Sequence, residues 1–153
     1  MSAIELTGKR YWLVGAGDGL GRALAHQMSQ AGIELVVSSR SEDKLQSLAD
    51  DLPGKATVET VDIADDDSVA AAAEAVGEID GIVLLAGVYW PFSAKEWDCA
   101  QGVAMADVNF TGFMRVLGRV VPQFVERDAG HIVITSSLSA FRGLPGSIGY
   151  TAS

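Results

Sequence analysis

The chain has 153 residues, nearly half of them apolar, enough to bury one sizeable core. Twenty acidic residues against eleven basic ones give a formal charge of −9, which argues against nucleic acid or an anionic membrane as a partner. Cys99 is the single cysteine, which excludes an internal disulfide and fits a reducing cytosol, so a cytoplasmic location is expected.

Residues 1–10 contain Glu5 and no apolar segment of signal-peptide length. Tyr11, Trp12, Leu13 and Val14 read as a short buried strand that runs into glycines. A helix is predicted over residues 20–31, with Leu20, Leu24 and Met28 on one face and Gly32 as its stop. A second strand covers 33–37. Ser41 then reads as an N-cap, with Glu42 and Asp43 in the first turn and Leu45 and Leu48 as the apolar face. A third strand is expected over 56–61, and a helix from Asp65 to about Val76 whose interior is the alanine run 70–73. Ile82, Val83, Leu84 and Leu85 are apolar on consecutive positions, the pattern of a strand buried on both faces. The apolar run 81–90 around them is too short to span a bilayer. One long helix is predicted from about Ala100 to Glu126, and a fifth strand over 132–135.

Strand and helix alternate throughout, which predicts a parallel sheet with helices on both faces. Right-handed crossovers then favour an α/β, Rossmann-type doubly wound sheet ordered 3-2-1-4-5. No repeat, linker or charged tail divides the chain, so residues 1–153 read as one domain. The ligand crevice of such a sheet lies outside the carboxyl ends of strands one and four, where the winding reverses. The chemistry-bearing residues fall at those ends, and no metal-binding set is read among them.

The stretch Gly15-Ala16-Gly17-Asp18-Gly19-Leu20-Gly21 follows the first strand and opens a helix. Glycines there permit a tight turn and a close backbone approach to a pyrophosphate resting on the helix N-terminus. The spacing G-x-x-x-G-x-G fits Gly15, Gly19 and Gly21, whereas G-x-G-x-x-G from Gly15 meets Leu20 at its last position. After strand two stand Ser39 and Arg40, with no acid to take a ribose 2′-hydroxyl. A guanidinium beside a hydroxyl suits a 2′-phosphate, favouring NADP with NAD as the alternative, although Asp18 adds opposing charge. Asp62 and Ile63 end strand three, where a carboxylate can accept from an adenine amino group or simply cap the next helix. Ala86 and Gly87 leave room after strand four. Asn109 sits in mid-helix against its propensity, Ser137 closes strand five, and Tyr150 follows a loop rich in glycine and proline. A serine can hold a carbonyl and a tyrosine can pass it a proton, given a nearby positive charge. Dull alternatives exist for each: a kink at Asn109, a loop start at Ser137, a core edge at Tyr150.

These residues together resemble the short-chain dehydrogenase/reductase family, over essentially the whole chain from Gly15 to Tyr150. The family motif T-G-x-x-x-G-x-G corresponds to residues 14–21 with Val14 for threonine, and N-N-A-G corresponds to Leu84-Leu85-Ala86-Gly87 with leucines for both asparagines. The resemblance places the adenine-contacting aspartate at Asp62, the catalytic asparagine at Asn109, the catalytic serine at Ser137 and the Y-x-x-x-K tyrosine at Tyr150, thirteen positions later. It implies hydride transfer between a nicotinamide and a small carbonyl or alcohol, with Tyr150 as general acid or base, Ser137 orienting the carbonyl and Asn109 holding a relay water. It also implies a lysine that stabilises the phenolate, a homo-oligomer in the full-length form, and further strands beyond the tyrosine.

Val14 and Leu84 belong to strands expected to be neighbours, so losing both polar groups together leaves no orphan. Residues 150–153 end before the motif's lysine, so the 153 residues alone are expected to be nearly inactive, and the long helix around 103–121 is expected to expose apolar surface. The alternative to an oxidoreductase is a non-catalytic nucleotide-binding or regulatory module of the same fold. A methyltransferase reading of Gly15, Gly17 and Gly19 wants acids before the turn and after strand two, where the chain has Trp12 to Val14 and Ser39. Residues 88–92 and 138–149 are expected to line the substrate pocket, and their aromatic character hints at an apolar substrate.

Overall fold

Five parallel strands form one sheet in the order β3-β2-β1-β4-β5, as the alternation of elements predicts. They are β1 (Arg10–Val14), β2 (Glu34–Ser38), β3 (Ala56–Val58), β4 (Gly81–Leu84) and β5 (His131–Ile134). The structure, a computed structural model, describes residues 5–153; the first four lie outside it, and with them part of the stretch read as carrying no signal segment. The helices are α1 (Gly19–Gln30), α2 (Glu42–Asp51), α3 (Asp66–Val76), α4 (Cys99–Ala106), α5 (Gly112–Glu126) and α6 (Ile148–Ala152). Among the described residues no helix is long and apolar enough to cross a membrane.

Alternation along each strand divides the core into two layers. Trp12, Val14, Val36, Ile82 and Leu84 face α3 and α5, meeting Val69, Val76, Phe113, Val116 and Val120. Tyr11, Leu13, Leu35, Val37 and Val83 face α1 and α2, meeting Ala25, Met28, Leu45 and Leu48. Both faces of β1, β2 and β4 are thus covered, which is why their sequences are apolar on consecutive positions. Inside the first layer the Trp12 indole donates to the Ser38 hydroxyl at 2.8 Å, so both buried polar groups are satisfied. At the sheet edge β5 pairs, among the described residues, only with β4, and Ile132, Val133 and Ile134 are exposed.

Three expectations need correction. The third strand ends at Val58 instead of Val61, although Glu59 and Val61 still donate to the Val37 and Ser39 carbonyls at 3.1 and 3.0 Å. Ser41 occupies the N-cap position of α2 but its side chain makes no capping bond, whereas Asp65 caps α3 through the Asp67 and Ser68 N–H groups. The long helix is not continuous: between α4 and α5 lies a π turn, Asp107–Thr111, with Asn109 at its centre. Val103, Phe110 and Met114 are exposed on this segment as expected, but Val116 and Val120 are buried in the core.

At the amino end of the sheet, opposite the glycine turn, Tyr11 lies across Gly81. A Cβ on Gly81 would collide with the Tyr11 ring, and by crossing there the Tyr11 hydroxyl reaches His131 Nδ1 at 2.7 Å. Beside it Asp80 accepts from the Arg10 N–H at 2.9 Å and from Lys9 Nζ at 3.0 Å. Its carboxyl is held below the usual aspartate range, first by the Arg10 N–H and then by Lys9 and Arg127, against the opposing effect of burial. A folded-state value below the unfolded one means stability that is present above the ordinary aspartate value and lost as pH falls through the folded one. Asp80→Asn is therefore expected to cost under about 1 kcal/mol at neutral pH, its ion pair with Lys9 being exposed, and less in acid as pH falls through the folded-state value, measured by urea denaturation across the acid range. An equal loss at neutral and acid pH contradicts this role.

Candidate functional site

At the carboxyl end of the sheet the ends of β1 and β4 close on each other. Gly15 has φ 99°, and a Cβ there would overlap the Ala86 backbone nitrogen. The Gly15 and Ala16 N–H groups both donate to the Ser38 carbonyl, at 2.7 and 3.0 Å. Those of Leu85 and Ala86 both donate to the Val14 carbonyl, at 2.8 and 3.1 Å. Val14 and Leu84 are register partners and fully buried, so the two apolar replacements lie side by side. Gly21 is equally constrained, since a Cβ would overlap the Gly15 carbonyl oxygen. Gly19, at φ 50°, faces open space.

A cavity of about 360 Å³ opens from this turn. Gly15, Gly17, Asp18, Leu20, Gly21, Ser39, Arg40, Asp62, Ile63, Ala86 and Gly87 all line it; Gly19 is the sole cofactor-site candidate outside the lining. Its size is that of a small-molecule site. The first N–H groups of α1 lack intrahelical acceptors, and Asp18, at the N-cap position, makes no side-chain capping bond to them. They remain available to an anion. Instead Asp18 is ion-paired with Lys44 of α2, a residue the sequence reading did not single out. Gly17 packs on Ser39, where a Cβ would come 2.8 Å from the hydroxyl oxygen. Arg40 is exposed and forms no ion pair among the described residues. Asp62 makes a local turn, one oxygen accepting from the Ala64 N–H at 3.0 Å.

Leu85, Ala86 and Gly87 also line a second cavity of about 360 Å³, which brings together Asn109, Ser137 and Tyr150. These three come from the π turn, the segment after β5 and α6. The Asn109 carboxamide accepts from the Val88 N–H at 2.8 Å and donates to the Val88 carbonyl at 3.0 Å and to the Ser153 hydroxyl at 2.9 Å. One side chain thus ties the loop after β4 to the π turn and α6. Ser137 is three residues past the end of β5, where it caps a short 3₁₀ turn, Leu138–Ala140. Its oxygen accepts from the Ser139 N–H at 3.2 Å and from the Ser139 hydroxyl at 2.8 Å, which leaves its own proton for a third partner. Tyr150 is braced by Tyr89, edge-to-face at 5.0 Å, and the Tyr89 hydroxyl bonds the Ser147 hydroxyl just before α6. Phe92 is paired with Ser147 through an isolated parallel bridge, so residues 88–92 fasten onto the loop before α6 instead of lining either cavity, apart from Val88 in the first.

Lys44 is the site residue that sequence reasoning missed; Ser139 and Tyr89 fall in the segments 138–149 and 88–92 expected to line the substrate pocket, and of the two only Ser139 lines the second cavity. Nothing in the local sequence marks Lys44, which matters through Asp18, a partner brought close by the fold. Among the described residues no group of three or more His, Cys, Asp or Glu is placed to hold a metal ion.

The chain matches the family model for short chain dehydrogenases over residues 9–153. It is 35% identical to an uncharacterized oxidoreductase of Myxococcus xanthus, covering 97% of this chain and 62% of that protein. It is 32% identical to an uncharacterized oxidoreductase of Staphylococcus epidermidis, covering 84% and 58%. A solved structure described as a short chain dehydrogenase/reductase family protein superposes with a TM-score of 0.92 at 30% identity, covering 97% of this chain and 63% of its own. The chain therefore spans about three fifths of the length of these relatives. With its sheet order, glycine turn and matched family model, the chain belongs to the short-chain dehydrogenase/reductase family.

Proposed function

We propose that the protein is an oxidoreductase that uses a nicotinamide dinucleotide, prefers NADP(H) over NAD(H), and acts on a small carbonyl compound or secondary alcohol. The observation that carries this reading is that the two cavities adjoin at Leu85, Ala86 and Gly87, which line both, so that a ligand extended from the glycine turn past these residues would come to Asn109, Ser137 and Tyr150. The oxidoreductase descriptions of the Myxococcus and Staphylococcus proteins support the same reaction class.

The first cavity fits a dinucleotide. It combines unbonded helix N–H groups for a pyrophosphate, a turn that no Cβ obstructs at Gly15 and Gly21, and Asp62 beside Ile63 for an adenine. Arg40 and Ser39, on the far side of Gly17, are the groups for a 2′-phosphate, which supports the NADP preference. These residues would hold the cofactor, whose chemistry there would be to supply or accept a hydride. Tyr150 exchanges the proton of the substrate oxygen, and Ser137 donates its free proton to that oxygen and holds the carbonyl in place. Asn109 fixes the loop carrying Val88 and, with it, the floor shared by the two cavities. The exposed apolar residues Val103, Phe110 and Met114 support a homo-oligomer, and the unpaired Cys99 a cytoplasmic location. Residues 1–153 act in this reading as one nucleotide-binding domain.

One observation favours the second reading, a nucleotide-binding module without turnover: Val14 and Leu84, buried register partners, stand where the resembling motifs carry polar residues. Two experiments test the proposal and separate the readings. Arg40→Ala should weaken NADPH about ten- to a hundredfold, the worth of a charge-assisted hydrogen bond, and change NADH by less than about twofold, followed by nicotinamide fluorescence. Equal losses for both cofactors remove the preference. In a chain that continues through the motif's lysine, Tyr150→Phe should lower NADPH consumption on a panel of small carbonyls by about a hundredfold or more and leave NADPH affinity within about twofold. Undiminished turnover refutes the catalytic role, and NADPH binding with no turnover in either protein favours the module.

A further inference from the structure

The charged groups around the mouth of the first cavity are unevenly committed. Arg22 bonds Asp51 at 2.6 Å and the Lys44 carbonyl at 3.4 Å, so it is occupied in tying α1 to α2. Asp62 is engaged with the Ala64 N–H. Arg40 has no ion pair among the described residues, and Lys44 pairs only with Asp18. The stem of Lys44 runs along the glycine turn, with its Cβ 3.8 Å from where a Cβ on Gly17 would stand. Asp18 holds the N-cap position of α1 without capping it, its carboxylate turned instead toward that ammonium.

We infer that Lys44 is a specificity-determining residue for the cofactor's 2′-phosphate, kept at the mouth by Asp18 and shared between that carboxylate and the phosphate; the inference rests on the dinucleotide reading of the first cavity. A 2′-phosphate brings nearly two negative charges at neutral pH. Arg40 alone leaves one of these unbalanced and Asp18 unscreened, so Lys44 is the cation that completes the set. The side chains of Lys44 and Asp18 are 53% and 73% exposed, so their pair is weak and yields the ammonium to a stronger anion at little cost. Asp18 therefore has two opposed effects: it parks Lys44 within reach, and it repels the phosphate that arrives. The two residues set how strongly NADP is favoured over NAD, while Arg40 sets the direction of the preference.

Titration of the purified chain with NADPH, NADH and 2′,5′-ADP, by nicotinamide fluorescence and by the shift in Tm, tests this without an activity assay. Lys44→Met should weaken NADPH and 2′,5′-ADP about fivefold and leave NADH within about twofold, and Lys44→Arg should keep the preference. Asp18→Asn, which preserves a good N-cap residue, should tighten NADPH by about threefold with NADH unchanged. Each difference should shrink in high salt. Equal effects of Lys44→Met on both cofactors overturn the inference. So does a loss of discrimination in Arg40→Ala with none in Lys44→Met and Asp18→Asn, which leaves the cofactor reading intact. A parent chain that none of the three ligands stabilises overturns both.

Discussion

The site depends on one close approach, the passage of the Gly15 backbone against Ala86 where β1 and β4 end. No side chain fits between them. The four N–H groups of Gly15, Ala16, Leu85 and Ala86 converge in pairs on the Ser38 and Val14 carbonyls. This pins three strand ends to one another at the point where the chain turns to opposite sides of the sheet. The crevice is a geometric consequence, because β2 leads to α2 on one face while β4 leads across to the α4–α5 segment on the other. Val14 and Leu84 close the floor with apolar contact in place of polar pairing, and leave no unsatisfied group behind.

The second half of the site is assembled by polar side chains that serve as backbone. Asn109 bonds both the N–H and the carbonyl of Val88 as a neighbouring strand would, and it can do so because the π turn presents its carboxamide toward the loop after β4. The extra residue of a π turn costs some helical regularity, and the three hydrogen bonds of Asn109 offset it. Ser139 works on Ser137 in a similar way, filling its acceptor positions so that its proton is free. Tyr89 does for Tyr150 with an aromatic edge what these residues do with hydrogen bonds. Asn109 and Tyr150 are thus each held by a neighbour from a different part of the chain, and Ser137 by one two residues away.

The charge of the first cavity departs from that of the whole chain. The chain as a whole carries −9, whereas the lining of the first cavity is balanced, Arg40 and Lys44 against Asp18 and Asp62. Within a Debye length the local pair matters more than the distant excess of carboxylates. An acidic protein can therefore present a site for a polyanionic ligand, with helix N–H groups adding to the attraction and no net charge required.

The sequence by itself determined the elements, their parallel arrangement and the strand order, because strand and helix periodicity and glycine stops are local properties. It also picked out the glycine turn and the trio Asn109, Ser137 and Tyr150, since unusual residues at element ends are visible without a fold. The tertiary structure alone decided where the third strand stops, that the long helix breaks at Asp107–Thr111, and that Ser41 does not cap α2. It alone joined Lys44 to Asp18, and Tyr89 to Tyr150. Ser139 falls in the segment 138–149 expected to line the pocket, but its bond to Ser137 depends on the 3₁₀ turn that folds its hydroxyl back. Such features depend on distances between groups that periodicity does not encode, and those distances exist only once the two layers of core have closed around the sheet.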